Sequence, residues 1–574
     1  MKSYLLLLFT ICTFLLYSSA ELDDNLTYVW PLPAKFSSGN NTLSVDPELS
    51  LVFDGKGGDS SIIKDGFGRY KKIIFKHSTK SSSVNKRLVF DIGVLKIVVL
   101  SDNEELQLGV DESYLLLVEK RNGQSIIGEA YIEANTVYGA LRGLETFSQL
   151  CAFDYETKAV QIYRAPWYIL DKPRFAYRGL LLDTSRHYLP IGVIKQIIES
   201  MSYAKLNVLH WHIIDEESFP LEVPSYPNLW KGSYTKWERY TVEDAYEIVD
   251  FAKMRGINVM AEIDVPGHAE SWGTGYPDLW PSPSCREPLD VSKNFTFDVI
   301  SGIMTDLRKI FPFGLFHLGG DEVNTGRIVL WNSNRNKVVV YVTDLVMLRH
   351  LILKLLELDI ACETMVMIVM FTYWNHPSAR LLDHNMTTKE AYQYFVLRAQ
   401  EIAISKGWTP VNWEETFNAF ASNLNPRTIV HNWLGGGVCA KAVAKGFRCI
   451  FSNQGFWYLD HLDVPWYEVY IAEPLEGIND TSMQELVLGG EVCMWSETAD
   501  TSVVQQTIWP RAAAAAERLW SNRETISSGN ITLTALPRLH YFRCLLNRRG
   551  VQAAPVTNYY ARQPPSGPGS CYEQ

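Results

Sequence analysis

FPFGLFHLGGDEV, Phe311–Val323, packs an apolar run, a glycine pair and two adjacent acids into one short stretch. The run Phe311–Leu318 reads as a short buried strand. Gly319 and Gly320 let the backbone turn sharply and approach a ligand closely. Asp321 and Glu322, at a strand end beside that turn, suit acid–base chemistry on a bound substrate. Successive strand residues face opposite ways, which predicts different roles for the two acids rather than one shared proton. A solvated acidic turn is the plainer reading of a lone Asp-Glu pair, and the rest of the chain argues against it.

Short apolar runs alternate with amphipathic helices on both sides of this stretch. The runs are Gly179–Leu182, Leu206–Ile214, Ile257–Ile263, Leu315–Leu318, Thr409–Trp413, Thr428–Trp433, Arg448–Ser452 and Leu486–Glu491. Helices are expected over Ile191–Ala204 and Val242–Arg255. Eight β/α units over this length predict a (β/α)8 TIM barrel across residues 171–574, with the chemistry at the C-terminal ends of the strands. Those ends carry Asp183, Arg186, His212, Asp215, Asp264, His268, Asp321, Glu322, Trp413, Trp433, Tyr458, Trp495 and Glu497. Residues 21–170 read as a smaller α/β domain, with strands at Leu88–Ile92, Leu95–Leu100 and Ser113–Leu117 and a helix over Thr136–Gln149. Asp171–Arg174 reads as a linker.

Residues 1–20 have the form of a signal peptide: Lys2, an apolar core, then Ser18-Ser19-Ala20 as a small-residue cleavage site. The apolar core is too short for a membrane span. Six glycosylation sequons, at Asn25, Asn40, Asn294, Asn385, Asn479 and Asn530, agree with secretory entry. A net charge of −11 argues against a nucleic-acid partner. The 17 tryptophans exceed what a core alone needs, and sugar clefts use such rings against pyranose C–H faces. The cysteines suit a few staples in an oxidising compartment; Cys544 and Cys571 flank a Pro/Gly-rich tail and read as one bridge.

Arg186, in Asp-Thr-Ser-Arg-His-Tyr, offers a fork of donors to adjacent sugar hydroxyls or to a structural ion pair. Asp215 and His268 follow the second and third barrel strands and can tune the proton affinity of Glu322. His210-Trp211-His212 raises a metal reading, since alternate strand residues share a face, but the first strand holds no such pair and no metal is expected. Trp413, Trp433 and Trp495 would form an apolar box at the mouth. Tyr458, Asp460 and Glu497 add polar groups on the same rim.

HLGGDEV together with DTSRHYLP (Asp183–Pro190), KLNVLHWHIID (Lys205–Asp215), DVPGHAESW (Asp264–Trp272), WYLDH (Trp457–His461) and GGEVCMWSE (Gly489–Glu497) resembles the β-N-acetylhexosaminidases of glycoside hydrolase family 20, nearest to the plant vacuolar type. The resemblance covers nearly all of the mature chain. It implies exo-acting, substrate-assisted retaining hydrolysis of terminal β-linked N-acetylglucosamine or N-acetylgalactosamine, without a cofactor. In that scheme Glu322 is the acid–base. Asp321 holds the acetamido N–H, and Tyr458 bonds the acetamido oxygen. Trp413, Trp433 and Trp495 enclose the acetamido methyl and the ring. Arg186, Asp460 and Glu497 bind sugar hydroxyls, and Asp215 with His268 supports Glu322. The implied partner is a glycan, in the vacuole or outside the cell, and homodimers occur in the family.

One departure stands out. After Asn324-Thr325 the family continues within a few residues to Cys-Trp, whereas residues 326–373 intervene here before Trp374. The charges scattered through this insertion argue against a membrane span, and its abrupt limits suggest a retained intron translated in frame. Tyr373 stands where the resemblance expects a cysteine, leaving Cys362 as a substitute partner for Cys285. Two other readings remain: a lectin-like or inactive sugar-binding form disabled by the insertion, and a metal-dependent amidohydrolase.

Overall fold

The computed structural model describes residues 26–77, 90–119, 128–323 and 386–557. The signal peptide, Asn25, Asn385, Cys362, Cys571 and the insertion 326–373 lie outside these residues.

The N-terminal sheet contains β1 (Lys35–Asp54), β2 (Ile92–Val99), β3 (Tyr114–Val118), β4 (Gly128–Ala134), β5 (Cys151–Asp154) and β6 (Ala159–Asp171), in the order β1-β2-β4-β3-β6-β5. The first half of β1 pairs antiparallel with β6 and its second half parallel with β2, with register shifts around Asn41. A helix, Val137–Leu150, lies wholly buried beside this sheet. Thr136 caps it by accepting from Gly139 N–H, one of the donors a helix start leaves unpaired.

The barrel closes through β7 (Tyr177–Asp183), β8 (Val208–Ile214), β9 (Asn258–Ile263), β10 (Leu315–His317), β11 (Thr409–Trp413), β12 (Ile429–Asn432), β13 (Arg448–Phe451) and β14 (Val487–Met494), all parallel, with β14 against β7. Each expected barrel run overlaps one of these strands, with β7 and β14 extending beyond the expected Gly179–Leu182 and Leu486–Glu491. The expected helices form at Ile191–Tyr203 and Val242–Lys253, the second with a Thr241–Asp244 capping box. Tyr177, Val208, Met260, Leu315, Val411, Ile429 and Ile450 fill the barrel in one buried, largely apolar cluster.

Asp171–Arg174 is not a free linker. Asp171 ends β6 and is buried against Lys205 at 3.0 Å, while the Trp520 indole donates to it at 3.0 and 3.1 Å. Glu112 of the N-terminal domain sits between Arg178 of β7 (2.6 Å) and Arg142 (2.7 Å), all three buried. The two arginines outweigh the cost of burying Glu112 and hold its carboxyl below the usual range. The domains therefore meet through paired buried charge, which tolerates loss of one partner poorly.

Candidate active site

A cavity of about 220 Å³ opens at the C-terminal end of the barrel. It is lined by Arg186, His212, Asp215, Asp264, His268, Asp321, Glu322, Trp433, Gln454, Tyr458, Asp460, His461, Trp495 and Glu497. Of the candidate site residues from sequence, only Trp413 is absent from this surface. It lies 1% exposed beneath it, stacked on His431 at 4.2 Å and clustered with Leu181, Tyr458, Cys493, Trp433 and Trp495. Gln454 and His461 join the lining beyond the strand-end residues expected from sequence; His212 and Asp264 of that set line it too, whereas Asp183 does not.

β10 ends at His317, so Asp321 and Glu322 sit in the loop beyond it rather than on alternate faces of a strand. Their divergence comes from the backbone. Glu322 has φ +45°, and His268 opposite has φ +54°; each such residue costs of the order of 1–2 kcal/mol. The glycine pair is needed for close approach. Gly319 and Gly320 have positive φ, and a Cβ on Gly319 would meet Asp264 Oδ1 at 1.9 Å. Asp264 Oδ1 instead accepts from Gly320 N–H at 2.9 Å.

His268 is the hub. Its Nδ1 lies 3.1 Å from Asp215 Oδ1, and its Nε2 lies 3.6 Å from Glu322 Oε2 and 3.8 Å from Asp321 Oδ2. Burial works against a charged ring, but the nearby Asp264 charge and the Asp215 bond prevail and raise its proton affinity. The hydrogen bond from His268, aided by its charge, in turn holds Glu322 below the usual carboxylate range. The Glu322 side chain is 60% exposed and open to the cavity. Asp321 behaves oppositely: burial raises its proton affinity, and burial together with the Asp321 charge raises that of Asp264 well above normal. Asp321 Oδ1 is a buried acceptor with no hydrogen-bond partner among the described residues, as are Asp460 Oδ1 and the donor Trp495 Nε1. Buried polar atoms are ordinarily paired, so three lone ones around a cavity fit a polar ligand.

Arg186 meets three carboxylates: Asp215 at 2.8 Å through Nη2, Glu217 at 3.1 Å through Nε, and Asp183 at 3.4 Å through Nη1. Nη2 also lies 3.4 Å from His268 Nδ1, which leaves one N–H on Nη1 for a ligand. Asp183 also accepts from Ser496 N–H at 3.1 Å, fixing the Trp495–Glu497 turn relative to Arg186. Burial pushes the Asp460 carboxyl up to about 6.

Below the cavity lies a buried polar layer. Glu262 contacts His212 at 2.5 Å, His317 at 2.6 Å and His210 at 3.1 Å; Glu491 contacts His210 at 2.8 Å and accepts from the Tyr177 hydroxyl at 2.5 Å. His212 continues to Asp215 at 2.8 Å. His210 and His212 do share a face, as the metal reading required, but each is engaged by buried carboxylates. Glu262 and Glu491 gave no signal in the sequence beyond their apolar strands. A disulfide, Cys439–Cys449, also went unforeseen. Cys544 is disulfide-bonded, while its expected partner Cys571 lies outside the described residues.

Comparison with known proteins agrees with this geometry. Residues 175–523 match Glycosyl hydrolase family 20, catalytic domain, and residues 29–150 match beta-acetyl hexosaminidase like. The chain is 68% identical to Beta-hexosaminidase 1 of Arabidopsis thaliana over 563 residues, covering 97% of this chain and 96% of that protein. It is 50% identical to Beta-hexosaminidase 3 of the same species, with the same coverage of both chains. The structure of Flavobacterium johnsoniae chitobiase aligns with a TM-score of 0.72 at 26% identity, covering 92% of this chain and 73% of that one.

Proposed function

This chain belongs to glycosyl hydrolase family 20, and from that premise we propose that it removes terminal, non-reducing β-linked N-acetylhexosamine from glycans or chitin oligomers. The observation that carries the reading is the loop Asp321-Glu322. One acid is buried with a free acceptor oxygen; the other is open to the cavity beside a histidine whose proton affinity is raised.

In the first step the substrate's acetamido oxygen attacks the anomeric carbon as the glycosidic bond breaks. Glu322 delivers its proton to the leaving oxygen, and an oxazolinium ion forms. Asp321 accepts the acetamido N–H through Oδ1, and Tyr458 donates to the acetamido oxygen. The new Glu322 carboxylate forms beside His268, whose charge stabilises it. In the second step Glu322 takes a proton from water, the water oxygen bonds to the anomeric carbon, and the carbon–acetamido oxygen bond breaks. Two inversions give net retention. Arg186, Asp460 and Glu497 hold the terminal sugar's hydroxyls, while Trp433 and Trp495, backed by Trp413, enclose the acetamido group. Asp215 orients His268.

No helix among the described residues is long and apolar enough to cross a membrane. Asn40, Asn294, Asn479 and Asn530 are all exposed, which supports glycosylation on a route to the vacuole or cell exterior.

The test is hydrolysis of a chromogenic β-N-acetylglucosaminide by the full chain at acidic pH. Glu322→Gln is expected to lower kcat/KM by about 10²–10⁴-fold, with loss of the acetamido-directed partner in Asp321→Asn comparably damaging. Unimpaired turnover by Glu322→Gln would remove it as the acid–base. A parallel chain lacking residues 326–373 is expected to retain or gain activity, as translated intron would; loss of activity would make that segment part of the enzyme.

A further inference from the structure

Glu414 and Glu415 are adjacent acids with no part in the chemistry above. They follow Trp413 at the end of β11 and open the short helix Glu414–Phe420. Both reach across to the end of β12. Glu414 Oε2 accepts from the backbone N–H of Trp433 at 2.8 Å and of Leu434 at 3.2 Å, and from Asn432 Nδ2 at 2.5 Å. Glu415 receives the indole Nε1–H of Trp433 on both oxygens, at 3.0 and 3.1 Å. Trp433 is therefore held twice, by its backbone through Glu414 and by its ring through Glu415.

The ring has one donor, so this bond fixes its rotation as well as its place. The held indole lines the cavity and lies nearly parallel to Tyr458, 10° between planes with centroids 6.1 Å apart. Without the Glu415 acceptor, nothing else in this pair of contacts prevents the indole from turning, because Glu414 touches Trp433 only at its backbone N–H.

We propose that Glu415 is a positioning residue that sets the size of the acyl pocket, and so the N-acyl groups the enzyme accepts, by fixing the Trp433 indole. This rests on the reading of Trp433 as a wall around the acetamido group. Burial and the neighbouring Asp321 charge push the Glu415 carboxyl up to about 8. At acidic pH it is thus a neutral acceptor, for which glutamine is a close replacement.

The experiment measures binding of 2-methyl, 2-ethyl and 2-propyl glucosamine thiazolines to the full chain by calorimetry, which needs no turnover. The parent is expected to lose about tenfold or more in affinity per added methylene. In Glu415→Ala the methyl compound should bind more weakly and the propyl compound relatively better, so that the ratio collapses. Glu415→Gln should keep the parent ratio. An equal loss for all three ligands in Glu415→Ala, or an unchanged ratio, overturns the proposal. If Glu415→Ala does not fold, Glu415→Asp withdraws the acceptor on a shorter arm and the same ratio decides. Trp433→Ala separates the premise: a parent-like ratio there would sink the pocket reading itself rather than the role of Glu415.

Discussion

At the mouth of the barrel, His268 faces Asp215 on one ring edge and both loop acids on the other, so one proton links the support of the site to its chemistry. For kcat/KM the free enzyme must hold Glu322 protonated, and deprotonation produces the descending limb of the pH profile. The His268 bond and charge lower the Glu322 proton affinity and place that limb at lower pH. His268→Gln removes the cation, and the limb should move to higher pH by about one unit. A stopped-rate pH series on the variant checks this; an unmoved limb would detach His268 from Glu322. The same substitution should lower kcat, because the carboxylate left after proton transfer loses its positive neighbour.

At the level of strands and helices, the most consequential contact is Glu112 between Arg142 and Arg178. Glu112→Ala leaves two buried guanidiniums without their carboxylate, and unfolding should be easier by about 3–5 kcal/mol, measured by denaturant titration with Glu112→Gln as the milder comparison. None of this was visible in the chain, where Glu112 lies in a polar stretch before β3. The barrel was legible because its strands are buried on both faces and read as apolar runs. β1 was not: its first half, Lys35–Thr42, is polar and exposed, and its pairing with β6 is set by residues more than a hundred positions away. Leu88–Ile92 and Leu95–Leu100, read as two strands, meet in the single strand β2 over the described residues. The site was legible where side chains follow the barrel strands, as with Asp215 directly after β8, His268 in the loop after β9 and Glu497 just past β14. It was hidden where a residue acts through another: Glu415 reads as an ordinary acid at a helix start, and only the fold brings it to Trp433.

Over the whole molecule, several groups bind protons more tightly folded than unfolded. His210 rises from 6.5 to about 9, since Glu491 and Glu262 outweigh its burial; burial lifts Glu415 from 4.5 to about 8 and Asp460 from 3.8 to about 6. For groups raised in this way, stability is fully present below the unfolded value and lost as pH climbs through the folded one. Asp215 and Glu262 are depressed, and their contribution is lost only as pH falls below the usual carboxylate range. Thermal unfolding should therefore occur at a higher temperature near about pH 5 than near about pH 8.5; the reverse order would contradict these assignments.

The seam between β14 and β7 has a further consequence, for the chain as it is made. β7 is synthesised first among the barrel strands, yet one of its two neighbours, β14, arrives about three hundred residues later and brings Glu491 to Tyr177 and His210. A ribosome that stops between β9 and β14 releases two open strand edges and leaves His210 without its Glu491 partner. Such edges invite pairing with other chains. Premature stop codons late in the coding region should thus yield insoluble, rapidly cleared products rather than weakened enzymes.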